Sequence, residues 1–458
     1  MKSRLSKHRP WSNIPSGENN KAVQGMSSIG KLWHRAMRRL FAALPRERRF
    51  AIYRSFVDCD PAPSERLQLK IAETREELEA CFRLLHDAYV DAGFMQPDPS
   101  GMRVTLYHAL PTTTTLCAKW DGEVVGTISL IRESALGFPL QAIFDLSNVR
   151  AREGQVAEVS ALAVHPRFRK TGGSILFPLM KFMYEYCTTF FDVRHLVIAV
   201  NPNRIEMYES LLFFQRLTAN VVEEYDFANG APAVGASLDL LYAPATFKAI
   251  YGKKPARKNL YAYFAEVRLP NIHLPKRRYF TTNDPVMTPE LLDYFFNQRT
   301  QGFANLDERK RLLLHSIYDL GEYRSVLPQL PEREGAGAQL RQHQRYSVKC
   351  PGELAVVISD GRLRYQMQVV EVSAFGFQAH STDPLPLNVW SDATVQLGRL
   401  EQSTVKALAV RDKANGFNGF YGFKLGEPDL IWRKFVGALQ QGKTHDDLEH
   451  STMFLGLE

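Results

Sequence analysis

The stretch EVSALAVHPRFRKTGGSILF, residues 158–177, has the pattern of a buried strand, a basic glycine turn and the start of a helix. We predict that one strand face packs against a helix, because its residues are small and apolar: Ala157, Val159, Ala161 and Ala163. The opposite face carries Glu158, Ser160, Leu162 and Val164. An unpaired buried carboxylate is costly, so Glu158 should lie in a wet cleft or accept hydrogen bonds.

The turn that follows this strand has the composition of an anion-binding corner. Small residues let backbone N–H groups approach a phosphate, and the N-terminus of the next helix contributes its dipole. Pro178 is tolerated in the first turn of that helix, so we expect the helix to begin near residues 173–175. The corner is therefore positioned to hold a pyrophosphate or a phosphopantetheine phosphate. The alternative is an ordinary connection between a strand and a helix.

The composition is that of a globular chain with more than one domain. The chain has 458 residues, 45% of them hydrophobic and 23% charged, and a formal net charge of +8. Its five cysteines show no CxxC spacing, which argues against a disulfide framework or a zinc site. We expect a cytoplasmic protein with no metal and no tightly bound cofactor. No apolar run is long enough for a membrane span.

The chain divides by pattern into six parts. The fold class is predicted as α/β, with a mixed central sheet and flanking helices, followed by a helical linker and a small all-β barrel. TREELEACFRLLHDAYV reads as a helix capped by its threonine, and TTTLCAKWDGEVVGTISLI as a hairpin that turns at Asp121 and Gly122. The predicted parts are a flexible tail (1–29), a basic amphipathic helical segment (30–66), the α/β domain (67–245), the helical linker (246–335), the barrel (336–440) and a C-terminal tail (441–458).

Residues 31–49 combine a basic face with an apolar stripe at helical spacing. Such a helix either lies on an anionic membrane surface or packs on the protein's own core. In the first case the protein would contact the inner face of the cytoplasmic membrane peripherally.

LAVHPRFRKTGGS resembles the acyl-donor loop of the GNAT acyltransferases, written R-x-x-G-x-G/A. Arg169 and Gly172 match this motif, and Ser174 replaces its last small residue. The resemblance implies that an acyl donor's phosphopantetheine is bound by Arg169, Lys170, Thr171, Gly172, Gly173 and Ser174. It also implies that Asn201 lies near the acceptor and that Tyr208 protonates the departing thiolate. A helix aromatic packed on the sheet is the alternative for Tyr208.

A longer resemblance covers residues 67–245. AYVDAGFMQPDPSGMRVTLYHALPTTTTLCAKWDGEVVGTISLI, EVSALAV and VNPNRIEMYESLLFF look like the long-chain N-acyl amino acid synthases of the FeeM type, which are GNAT relatives similar to autoinducer synthases. The resemblance implies transfer of a long acyl chain from acyl carrier protein, or from CoA, to the amine of an amino acid or similar metabolite. The chain departs from the family at Arg204, where histidine is frequent, and at Phe213, where glycine is usual. Both lie on the acceptor side.

Acyl transfer to an amine needs a base and an oxyanion site. Glu158 is our candidate base, and Ser160 is the residue that would orient the acceptor or a water. A bulged strand at Leu162 to Val164 could supply backbone N–H groups to the oxyanion. The alternative for Glu158 is a carboxylate that pairs with an arginine and holds the shape of the cleft.

The C-terminal part contains LRQHQRYSV, with Arg341 and Arg345, and EVSAFG, with Glu371, Ser373 and Gly376. These segments resemble the RxxxR and D/N-x-S-x-x-G motifs of PilZ domains, over residues 336–440, with glutamate in place of Asp or Asn. The resemblance implies cyclic di-GMP binding by the five residues. Two arginines at this spacing can also form a solvated basic face.

The sequence therefore predicts an N-acyltransferase that is regulated by cyclic di-GMP, with no nucleic acid polymer as a partner. The basic residues Arg167, Arg169 and Lys170 would dock an acidic carrier protein. One alternative, motivated by the departures at Arg204 and Phe213, is a non-catalytic receptor that uses the acyltransferase fold as a scaffold. The other is an autoinducer synthase that makes acyl-homoserine lactones, although no sequence feature demands its S-adenosylmethionine site.

Overall fold

The computed structural model describes residues 43–134, 136–169, 171–225, 227, 230–281, 287–318, 321–330, 345–358, 361–411 and 420–442. The chain divides into two units, and the division falls between Ser55 and Phe56. In the first unit, helix α1 (Arg46–Ser55) carries two guanidinium groups, from Arg46 and Arg54, over the ring of Phe50. The predicted tail 1–29 and residues 30–42 of the amphipathic segment lie outside the described residues, as do residues 443–458.

A mixed sheet organises the first part of the second unit, as the sequence predicted. Its order is β1-β2-β3-β4-β5-β8-β6, with β7 paired to β8. Only β4 and β5 run parallel among these neighbours, and the other pairs are antiparallel. The strands are β1 (Leu67–Ile71), β2 (Thr113–Trp120), β3 (Glu123–Arg132), β4 (Gln155–Val164), β5 (Val193–Val200), β6 (Gln215–Arg216), β7 (Val222–Tyr225) and β8 (Ala231–Asp239).

Helices cover both faces of this sheet. Helix α2 packs on one face through Leu84 and Leu85, and α4 packs on the other through Leu179 and Phe182. Thr74 caps α2 by accepting a hydrogen bond from the backbone N–H of Glu77 at 3.2 Å. The helices are α2 (Arg75–Asp91), α3 (Ser147–Arg150), α4 (Leu176–Phe190), α5 (Pro202–Leu212), α6 (Ala243–Tyr251), α7 (Leu260–Ala265), α8 (Pro289–Asp293), α9 (Glu308–Ile317) and α10 (Leu430–Gln440).

A bulge in β4 changes which residues share a face. Ala161 has a φ of 55°. Ser160 pairs with Ser129 of β3 and Ala163 pairs with Thr127, so two residues of β4 lie opposite the one β3 residue between these partners. The extra residue shifts the alternation by one. Ala163 therefore packs with α2, whereas Leu162 and Val164 pack on the α4 side. The prediction that Ala161 and Ala163 share the face of Ala157 and Val159 is wrong for this reason.

The C-terminal part is a closed antiparallel barrel, which confirms the predicted all-β domain. Its strand order is β10-β11-β14-β13-β12-β9. Helix α10 closes the barrel core, because Trp432, Phe435, Val436 and Leu439 are buried in it. The strands are β9 (Tyr346–Ile358), β10 (Gly361–Ser373), β11 (Gly376–His380), β12 (Trp390–Gln396), β13 (Gln402–Arg411) and β14 (Phe420–Leu425).

Residues between the sheet and the barrel, predicted as a helical linker, belong partly to the core of the α/β domain. Phe295, Phe296, Leu314 and Tyr318 are buried against Phe82 of α2 in one apolar cluster. Helices α6 and α7 enter the core on the α4 side. The predicted boundary at residues 335 and 336 lies outside the described residues. Within the described ranges, no helix is both long enough and apolar enough to cross a bilayer.

An extended strap, residues 271–281, contacts both the sheet and the barrel. Ile272 forms a parallel bridge with Leu69 of β1, while Tyr279 and Thr281 bridge to barrel residues. Between these contacts, the Arg277 guanidinium donates to the Tyr186 hydroxyl at 2.7 Å and lies 4.7 Å from the ring centroid of Phe190. The strap therefore holds the C-terminal end of α4 and the barrel at the same time.

Arg277→Ala should lower the apparent free energy of unfolding by about 1–3 kcal/mol, because it removes a cation–π contact and buried hydrogen bonds. The neighbouring Arg278→Ala is the matched control. It removes an exposed ion pair with Glu401, so its expected cost is below about 1 kcal/mol. Urea unfolding measures both. Equal losses for the two variants would show that Arg277 does not hold α4.

Candidate functional site

The parallel ladder between β4 and β5 is short, and its end defines the site. It runs from Gln155 to Glu158 and ends with Glu158 opposite Val197, although β4 continues to Val164 and β5 to Val200. The two strands therefore diverge beyond Glu158. Directly after β4, the backbone N–H of His165 donates to the carbonyl oxygen of Val125 in β3 at 2.8 Å, so it faces the β3 edge. Since successive residues of a strand point to opposite edges, the N–H of Val164 faces the opening between β4 and β5.

Glu158 lies at the apex of this opening, on the face of the sheet covered by α2. Its carboxyl group is buried, with 2% of the residue exposed, and accepts a hydrogen bond from the backbone N–H of Leu140 at 3.0 Å. Burial raises its pKa to about 8, so the carboxyl group is mostly protonated at neutral pH. Of the two settings expected for Glu158, the structure shows the hydrogen-bonded one rather than the wet cleft.

Two tyrosine hydroxyls lie near the Glu158 carboxyl group, and two serines face each other on the neighbouring β3–β4 pair. Burial and the nearby charge of Glu158 raise the pKa of Tyr107 to about 12. The same two causes also raise the pKa of Tyr225. Ser160 lies directly opposite Ser129 of β3. Within the described part of the chain, the buried hydroxyls of Ser129 and Tyr225 have no hydrogen-bond partner, which is unusual for buried polar groups. They are candidates to bind a substrate atom, and no spacing in the sequence pointed to either of them.

The glycine corner joins β4 to α4, which begins at Leu176, one residue after the predicted range. Gly172 and Gly173 both have positive φ, 68° and 88°. A Cβ on Gly173 would lie 2.6 Å from the ring of Phe177, so a larger residue would have to displace that ring. The Thr171 and Ser174 hydroxyls lie 2.6 Å apart and brace the turn. Lys170 lies outside the described residues.

Arg169 ties the corner to the end of β4. Its Nε donates to the Val164 carbonyl oxygen at 2.8 Å, and its Nη1 lies 3.5 Å from the Asp91 carboxylate. The side chain is 39% exposed. Arg169 thus fixes the geometry of the opening in this structure, and a donor phosphate would have to compete with Asp91 for its guanidinium group.

The residues expected near the acceptor lie on α5 or at its start. Asn201 caps the helix by accepting from the N–H of Asn203 at 3.0 Å, and Arg204 is exposed in its first turn. Tyr208 packs edge-on against Phe214 at 6.0 Å. Burial raises the pKa of Tyr208, and the phenol therefore keeps its proton at neutral pH. That protonation state is the one required to donate to a thiolate.

Phe213 ends α5 with a φ of 61°, the left-handed conformation that favours glycine. Its ring compensates for the strain by packing on Phe247 at 5.0 Å and near Tyr251 at 5.9 Å, both on α6. The departure from glycine is therefore explained by docking of α6 and does not in itself remove a functional group.

In the barrel, four of the five predicted nucleotide-binding residues are described, and Arg341 is not. Arg345 lies 3.3 Å from Glu371, and both side chains are partly exposed. Ser373 donates to the Gly376 carbonyl oxygen at 3.0 Å in the turn between β10 and β11. A Cβ on Gly376 would lie 2.6 Å from the Phe423 carbonyl oxygen, so glycine permits close strand approach here.

The structure confirms the predicted fold class, an α/β domain with a mixed sheet and flanking helices followed by a small all-β barrel, and it shows that the parallel pair of the sheet opens beside the glycine corner. Residues 80–239 match the family described as N-acyl amino acid synthase FeeM. The match spans about a third of the chain and includes Glu158 and the glycine corner. It bears out the resemblance to the N-acyl amino acid synthases of the FeeM type that the sequence indicated.

Solved structures with related architecture include acyl-transferring enzymes. The structure of FeeM, an N-acyl amino acid synthase from uncultured soil microbes, is 25% identical, with a TM-score of 0.33, and covers 39% of this chain and 93% of that one. The CoA-dependent acyl-homoserine lactone synthase BjaI is 20% identical, with a TM-score of 0.31, and covers 41% and 90%. An acyl-CoA N-acyltransferase from Pseudomonas aeruginosa is 14% identical, with a TM-score of 0.27, and covers 37% and 97%. No curated protein matched the chain.

Glu158→Gln should change how stability depends on pH. The native carboxyl group keeps its proton up to about pH 8, whereas the unfolded one loses it near 4.5. The stability that this group contributes is therefore full below pH 4.5 and is lost as pH rises to about 8. Relative to Glu158→Gln, the free energy of unfolding of the wild type should fall over this interval by up to about 1.4 kcal/mol for each unit of difference between the native and unfolded pKa.

Urea unfolding between pH 5 and 8 tests this expectation. Glu153→Gln, at a side chain that is 94% exposed, is the control. A difference between wild type and Glu158→Gln that does not change with pH would contradict the assigned protonation state.

Proposed function

We propose that the chain transfers a long acyl group from a phosphopantetheine thioester, carried by acyl carrier protein or CoA, to the amine of an amino acid or similar metabolite. The observation that carries the proposal is the position of Glu158 at the apex of the β4–β5 opening, inside the segment that matches the FeeM family. The glycine corner at the start of α4 would bind the donor's phosphate. The pantetheine arm would then extend along the free edge of β4 toward Ser160.

The reaction forms a C–N bond and breaks a C–S bond. The amine attacks the thioester carbonyl carbon, and the oxyanion that develops is stabilised by backbone donors facing the opening, such as the N–H of Val164. Leu162, beside the bulge, is the second backbone group in this proposal. The C–S bond then breaks, and Tyr208 supplies a proton to the departing thiolate. Ser160 orients the acceptor or a bridging water.

Glu158 takes the proton that the amine loses. A carboxyl group with a pKa near 8 is a stronger base than an ordinary glutamate, but it must first ionise. A bound ammonium group would favour ionisation, because an opposite charge nearby lowers a carboxyl pKa. The hydroxyls of Tyr107, Tyr225 and Ser129 are available to bind the acceptor at this point.

Glu158→Gln should lower kcat/KM by about 100-fold or more, the usual contribution of a general base. The wild-type kcat/KM should rise with pH through about 8, and the variant should lose that rise. The assay incubates the protein with acyl carrier protein or acyl-CoA and a panel of amines, with mass-spectrometric detection. Glu153→Gln serves as the control.

Three other outcomes of this assay would change the assignment of Glu158 or the proposed activity. An active Glu158→Gln with an unchanged pH profile would remove Glu158 from the reaction. If the wild type gives no acylated product and releases thiol only at background, the receptor interpretation replaces the enzyme. A lactone formed from S-adenosylmethionine would identify an autoinducer synthase instead.

We also propose that the barrel binds cyclic di-GMP and regulates transfer. Arg345, just before β9, pairs with Glu371 near the end of β10, and the Ser373–Gly376 turn joins that end of β10 to β11, which supports a shared ligand site. Arg345 would release Glu371 and bind a phosphate or a guanine edge. The strap provides the coupling route, because Arg277 holds the end of the same helix, α4, whose first turn follows the glycine corner.

Arg345→Ala should weaken cyclic di-GMP binding by about tenfold or more, since it removes a charge-assisted contact. Arg362→Ala, an exposed arginine on β10, is the matched control and should leave affinity unchanged. Calorimetry measures both. Equal affinities for wild type and Arg345→Ala would contradict the assignment of Arg345 to this ligand.

A further inference from the structure

A carboxylate lies directly against the glycine corner. A Cβ built on Gly172 would be 3.1 Å from Oδ2 of Asp58. Asp58 comes from the segment that precedes the sheet, far from the corner in sequence. An acidic side chain at a phosphate-binding turn is unfavourable for a phosphate unless it moves or is neutralised, because like charges repel.

The charge of Asp58 is balanced by an arginine from a third segment. Arg257 Nε donates to Asp58 Oδ1 at 2.7 Å, and its Nη1 lies 3.3 Å from Asp60. The two segments are tied through their backbones, since the N–H of Cys59 donates to the Arg257 carbonyl oxygen at 2.7 Å. Arg257 is therefore held beside the corner whatever its side chain binds.

The ion pair is exposed and can open at small cost. The Arg257 side chain is 55% exposed and that of Asp58 is 45% exposed. Ion pairs with this exposure contribute little to stability, because water screens them. The surrounding segment, residues 252–258, is exposed and basic, with Lys253, Lys254 and Lys258 close to Arg257 in sequence. A phosphate that replaced Asp58 would enter a positively charged surrounding.

We propose that Arg257 binds the donor's phosphate at the Gly172 corner and that Asp58 occupies this place as a competing anion until the donor arrives. Donor binding then exchanges one anion for another on the same guanidinium group, and no covalent bond changes. This inference rests on the proposed acyl transfer. Asp58 and Arg257 both lie outside residues 80–239, so the exchange would be a property of this chain's flanking segments.

The test measures binding of CoA and, separately, of phosphopantetheine-loaded acyl carrier protein by calorimetry, at low and high salt. Asp58→Asn removes the competing charge and releases Arg257, so it should tighten donor binding by about threefold or more. Arg257→Ala should weaken binding by about tenfold, and more strongly in the Asp58→Asn background than in wild type. The gain in donor affinity from Asp58→Asn should be smaller at high salt, because salt screens the interaction between the charges.

Control substitutions remove the same charges elsewhere. Arg364→Ala and Glu353→Gln break an exposed pair on the barrel and should leave donor affinity within twofold. If the wild type binds a donor but Asp58→Asn weakens binding or leaves it unchanged, the exchange is contradicted and the proposed function stands. If the wild type binds neither donor form, the proposed function and the exchange fail together.

Discussion

The end of the β4–β5 ladder at Glu158 is the constraint on which the site depends. Two parallel strands that stay paired would leave no room for a substrate between them, and every backbone group at their shared edge would be used. Here the pairing stops after Glu158, and the bulge at Ala161 re-aims the rest of β4. A non-glycine residue at positive φ is a local strain of the kind found at functional sites. The opening, and the edge of β4 that is not paired with β5 beyond Glu158, follow from this geometry.

Burial gives Glu158 its chemical character. Because it is buried, this carboxyl group holds its proton to about pH 8 although it accepts the backbone N–H of Leu140. The cost of that burial is a loss of stability at neutral pH, and it leaves a group whose proton affinity is close to that of an amine acceptor. The unsatisfied hydroxyls of Ser129 and Tyr225 are a further cost on the same face. Such costs are expected where substrate atoms complete the hydrogen bonding.

The sequence predicted what is local and missed what comes from distant segments. The Thr74 cap, the Asp121–Gly122 hairpin and the glycine corner could be read directly, because each depends on a few adjacent residues. The faces of β4 beyond Ser160 could not, since alanine carries no signal for a left-handed backbone. Tyr225, Asp58 and Arg257 reach the site only through the folded chain. The burial of Glu158 was foreseen as one of two settings, but its raised pKa depends on neighbours from several elements.

The decisive measurement is a structure with bound S-alkyl coenzyme A, a stable thioether analogue of the donor. We expect the pantetheine arm to lie between β4 and β5, with its sulfur within reach of Ser160 and its phosphate at the Gly172 corner. An arm bound outside this opening, with the ligand elsewhere on the surface, would contradict this placement of the donor.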